Sequence, residues 1–77
     1  MKVWSAVYMY NGLISDMSVF STKEAARKYF FDIVDNEGGI EACDPEYYQD
    51  GSDETGAFYW WDGIDDEITI MCVEVRD

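Results

Sequence analysis

An α+β fold, with an antiparallel sheet of about four strands in ββ-α-ββ order covered by one amphipathic helix, is predicted by three observations. Two strand-like runs rich in Val, Trp and Tyr flank an Asn11-Gly12 pair. One stretch with helical apolar spacing follows them. Two further strand-like runs then flank an Asp62-Gly63 turn.

The first run, Lys2 to Tyr10, and the second, Leu13 to Phe20, read as a hairpin. A type I′ turn needs φ > 0 at both central residues, which Asn-Gly tolerates best. A two-residue loop fixes the register, so Tyr10 is expected opposite Leu13, Tyr8 opposite Ser15, Ala6 opposite Met17 and Trp4 opposite Val19. One face then carries Trp4, Ala6, Tyr8, Tyr10, Leu13, Met17 and Val19. Val3, Val7, Met9, Ile14 and Phe20 fall on the other. Both faces are partly apolar, and one helix covers only one of them.

Ser21-Thr22-Lys23-Glu24 reads as a capping box with Ser21 at the N-cap. Ala26, Tyr29, Phe30, Ile33 and Val34 follow as one amphipathic stripe, with Lys23, Arg27 and Lys28 off it. Gly38-Gly39 ends the helix. Asp44-Pro45 suggests a short helical turn to Gln49, and Asp50 to Gly56 is a loop by composition. Ala57 to Trp61 and Glu67 to Val75 read as the last two strands, joined at Asp62-Gly63 or by a turn extending through Asp66. Residues 1–77 form one acidic domain on this reading, with no internal repeat.

Charge is the dominant feature of the composition. Five cations face seventeen acids, a net charge of −12. From Tyr29 to Val75 there are fourteen acids and no cation. Direct nucleic-acid binding, which relies on Lys and Arg at phosphates, is therefore not expected, and anionic membranes are repelled. Aromatic residues make up 17% of the chain, enough to build a core that a disordered acidic peptide lacks. No secretory leader or apolar span is visible, so the expectation is a cytoplasmic protein with Cys43 and Cys72 as free thiols, although pairing stays open.

Catalysis is not expected. The chain has no histidine and no phosphate-binding glycine loop, so an enzyme would lack the usual general base. No cofactor is implied. Zinc would need more than two distant cysteines. The Asp50–Gly56 loop departs from a calcium loop, with no glycine at its sixth position and Trp61 at its twelfth, so a calcium-binding domain ranks as a third reading.

The acids themselves are the candidate site. Asp44, Glu46, Asp50, Asp53 and Glu54 lie in the long connection, and Asp62, Asp65, Asp66 and Glu67 lie at the last turn. If both segments project from one region they form a single anionic surface, with carboxyl pKa values raised by mutual repulsion. Strand alternation separates Tyr59 and Trp61 from Phe58 and Trp60, so one tryptophan, taken as Trp60, is a candidate contact residue.

In its size, its cation-free stretch and its acids spread over a compact α+β body, the chain resembles the small anti-CRISPR and anti-restriction DNA mimics of phages and mobile elements. The resemblance covers the whole chain without a diagnostic motif. It implies an inhibitor that presents carboxylates in place of phosphates to the basic nucleic-acid surface of a host defence complex, in the host cytoplasm. The alternative is a small interaction module, or a homodimer, that uses an exposed apolar or aromatic sheet face.

Overall fold

The computed structural model describes residues 1–39 and 48–76. Five strands and one helix follow the order β1 (Lys2–Tyr10), β2 (Leu13–Phe20), α1 (Lys23–Asn36), β3 (Tyr48–Asp50), β4 (Phe58–Trp61) and β5 (Glu67–Glu74). The strands form one antiparallel sheet in the order β2-β1-β5-β4-β3. The α+β class and the single helix are as expected. The sheet has one strand more, because Tyr48–Asp50 pairs with β4 where a helical turn reaching Gln49 was expected. The rest of that expected turn lies outside the described residues.

Asn11 and Gly12 take φ of 55° and 78°, the left-handed values that a I′ turn requires. Tyr10 pairs with Leu13 and Met9 with Ile14, as the turn dictates. The register then shifts. Tyr8 pairs with Asp16, Val7 with Met17, Ala6 with Ser18 and Trp4 with Phe20, leaving Ser15 as the extra residue of a bulge. Every side chain beyond the bulge lies on the face opposite to the one that the uninterrupted register gives. Phe20 turns in beside Tyr29, ring centroids 5.1 Å apart, while Met17 and Val19 turn out to solvent. Burial of the larger ring favours this arrangement.

Thr22, not Ser21, caps α1, accepting from the Ala25 amide at 3.2 Å. Its extended backbone (φ −131°, ψ 151°) lets the hydroxyl reach back, and this shifts the cap one residue past the expected box. The helix buries Ala26, Phe30 and Val34 against Ala6, Phe58, Trp60, Ile68 and Ile70 of the sheet's inner face. Tyr29 and Ile33 flank this core, half-buried. Trp60 is fully buried, which corrects its expected role as a contact residue. It lies on the Phe58 side of β4, opposite Ile68, under the helix. Trp61 is the half-exposed one.

A helix is roughly 10 Å wide, whereas five strands span about 24 Å. α1 therefore covers the middle of one face, leaving the β2 margin of that face uncovered and the other face open. Gly51, buried at φ 82°, adjoins Phe58 so closely that a Cβ there would stand 2.5 Å from the ring. Cys72 carries a free thiol on β5, and Cys43 lies outside the described residues.

Candidate protein interface

Asp44 and Glu46 lie outside the described residues. The other candidate acids do not converge as expected. Asp50, Asp53 and Glu54 precede β4, whereas Asp62, Asp65, Asp66 and Glu67 follow it. The two groups therefore sit at opposite ends of a strand about 13 Å long.

Most of these carboxylates are engaged in building turns. Asp50 Oδ1 accepts the Ser52 amide at 3.0 Å, and Asp53 Oδ1 accepts the Thr55 amide at 3.0 Å and its hydroxyl at 2.6 Å. Asp62 Oδ1 accepts three amides in succession, from Ile64, Asp65 and Asp66, at 2.8, 3.1 and 3.1 Å. This folds 62–66 into a compact turn, the longer of the two expected forms. Glu67 accepts the Tyr59 hydroxyl at 2.9 Å.

Asp66 is only 8% exposed. Its Oδ1 accepts the Asn11 amide at 2.8 Å, and Gly12 donates to the Asp65 carbonyl at 3.0 Å, so the last turn clasps the first. Glu37, just past the helix, hydrogen-bonds Asp66 and accepts the Tyr8 hydroxyl at 2.7 Å. The Asp66 bond raises the Glu37 pKa above the usual range. The Asn11 amide, then Glu37, hold Asp66 below it. Burial, followed by the bond to Glu37, pushes the Tyr8 phenol well up.

The general crowding of acids is not observed. Ser52 bonds hold Asp50 down, and Thr55 bonds hold Asp53 down. Asp65 is raised, by loss of water in the turn and then by the charges of Asp66 and Asp62. Donated hydrogen bonds outweigh repulsion wherever the turn supplies them. Carboxylate oxygens of Asp62, Asp65 and Asp66 lie within 4.8 Å of one another. One oxygen from each carboxylate makes three ligands against the six to eight of a calcium shell, and two of the three residues already hold main-chain amides.

The open face of the sheet has a different character. By register and alternation it carries Ile14, Met17 and Val19 of β2, Val3, Ser5, Val7 and Met9 of β1, and Glu67, Thr69, Met71 and Val73 of β5. Tyr59, Trp61 and Gln49 extend it across β4 and β3. Glu67 is the one charged side chain that the described strands place on this face, in a protein that is 29% charged. Ile14, Met17, Val19 and Met71 are all more than half exposed, and Val73 is 39% exposed. Together these five expose on the order of 500 Å², near the top of the roughly 300–600 Å² range for the largest apolar patch on a soluble monomer.

Two of the five cations, Arg27 and Lys28, face away from this patch. The Arg27 guanidinium sits 4.8 Å over the Phe31 ring and donates to the Asp50 carbonyl at 3.3 Å, and Lys28 pairs with Asp32 at 2.9 Å, all on the helix side. The Met17, Val19 and Met71 cluster was not singled out from sequence. The signal for it is the phase break between Ile14 and Met17-Val19, an odd spacing that only an extra residue reconciles with one face.

Fold and surface together define an α+β domain with one helix-covered and one open, apolar sheet face. Compared with known proteins, the chain matches no family model, no curated protein and no solved structure. Among the described residues, no helix is long and apolar enough to cross a membrane.

Proposed function

We propose that this domain acts by binding another protein and not by catalysis, docking its open sheet face on a partner whose contact patch has an apolar centre and basic surroundings. The observation that carries this reading is the apolar patch of five exposed residues on β2 and β5, on either side of β1. Exposed patches of this size commonly mark contact sites. Charge complementarity selects a basic partner over a second copy of the chain, since two copies would bring together net charges of −12. Basic protein surfaces are characteristic of nucleic-acid-handling proteins, so a defence complex of that kind fits the partner class.

A DNA-mimic inhibitor is the second reading, favoured by the absence of cations from Tyr29 to Val75 and by acids at both ends of β4. The two readings separate in a pull-down from bacterial lysate at low and high salt, with duplex DNA as competitor. Docking through the apolar face predicts a retained partner that high salt only weakens and DNA does not displace. A partner released completely by both salt and DNA supports the mimic and sinks the apolar reading.

A further inference from the structure

We propose that the groove between α1 and β2 binds an extended basic segment of another protein, which adds to the edge of β2 as a sixth strand. The inference is independent of the open face, because the groove lies on the helix side of the sheet.

β2 is the last strand of the sheet on its side, eight residues long, and pairs only with β1 among the described residues. Its outer edge is a template for main-chain pairing. Beside it runs a groove of about 660 Å³, walled by Tyr8, Phe20, Ala25, Tyr29 and Ile33. The volume falls within the roughly 300–1,000 Å³ typical of ligand sites. Its openness to solvent, alongside a strand edge, suits alternate side chains of an extended chain better than an enclosed small molecule.

Charge sets the occupant. Asp16 lies in the groove wall, where the hydroxyls of Tyr29 and Ser18 donate to its Oδ2 at 2.6 and 2.7 Å. Those bonds hold it ionised. Lys28 and Asp32, both on the opposite wall, pair with each other at 2.9 Å and cancel, which leaves Asp16 as the uncompensated charge of the groove. Asp16 thus presents a fixed negative charge that a lysine or arginine of the incoming strand would meet. A second copy pairing through either of its own edge strands cannot supply one, because neither Leu13–Phe20 nor Tyr48–Asp50 contains a cation. The Ser15 bulge and the inward acid guard the edge against indiscriminate pairing, as such devices do elsewhere, and admit a strand that brings the matching charge.

The test is an NMR titration of the labelled protein with a capped peptide of alternating valine and lysine. A peptide of the same composition, with valines and lysines in separate blocks, controls for attraction to net charge. The expected result is amide shifts confined to Asp16–Phe20 and the groove side of α1, at lower concentration for the alternating peptide. Ala25→Trp, which fills the groove from an exposed helix position, and Asp16→Asn, which removes a charge-assisted bond, should each weaken binding about tenfold. Met71→Lys, on the far face, should leave it within about twofold. Absence of binding, equal binding of the block peptide, shifts on the open face instead, or indifference to Ala25→Trp would each overturn the proposal.

Discussion

At Glu37 two hydrogen bonds link three elements. Its carboxyl sits between the Tyr8 hydroxyl of β1 and Asp66 of the last turn, and its pKa is raised while that of Asp66 is lowered. The raised Glu37 value contributes stability that is complete below the unfolded carboxyl range and is lost as pH rises through the folded value. The lowered Asp66 value contributes stability present above the unfolded value and lost as pH falls through the folded one. As pH rises above the ordinary carboxyl range the Glu37 effect governs, so stability falls until Glu37 ionises in the fold. Glu37→Gln keeps an acceptor for Tyr8 and adds a permanent donor for Asp66. The urea midpoint of this variant should lose the decline that the wild type shows as pH rises above the carboxyl range, and an identical slope in both would refute this role of Glu37. Gly51 is the second sensitive position. Gly51→Ala combines a left-handed backbone with a Cβ driven into Phe58, and should cost about 3 kcal/mol in denaturant unfolding.

Among the elements, the Ser15 bulge determines the most. It places Phe20 and Asp16 on the helix side and Ile14, Met17 and Val19 on the open side, so it shapes both the apolar patch and the groove. Deleting Ser15 joins two stretches that already have the correct alternation. The deletion should fold with the same faces, change stability by less than about 1 kcal/mol and retain the Phe20–Tyr29 contact by NOE. Loss of that contact would show that the bulge is not a simple extra residue. The bulge also marks how far the sequence is readable. Asn11-Gly12 fixes its own turn because the φ > 0 requirement is local, and the α1 stripe is legible for the same reason. The register beyond Ser15 depends on Phe20 finding Tyr29, a contact between elements that no local signal encodes. β3 is three residues with no alternation to read, and β1 meets β5 only through the assembled core. In the candidate site, the acidic segments were legible as acidic. Their use as turn acceptors was not, since it depends on which oxygen meets which amide.

Over the whole molecule, charge and apolar surface are segregated. One helix covers the middle of one face of the five-stranded sheet, and the other face keeps an exposed apolar patch while Arg27 and Lys28 lie on the helix side. Net charge keeps such molecules apart and steers them toward basic surfaces, and the patch supplies the short-range contact. The most direct test compares wild type with Met71→Lys, folded alike by circular dichroism, in the same lysate pull-down at high salt. Loss of the retained partner in the variant is the predicted result, because a charge would then be buried at the centre of the contact. A partner held equally by both proteins would contradict the account and move the interface away from the open face.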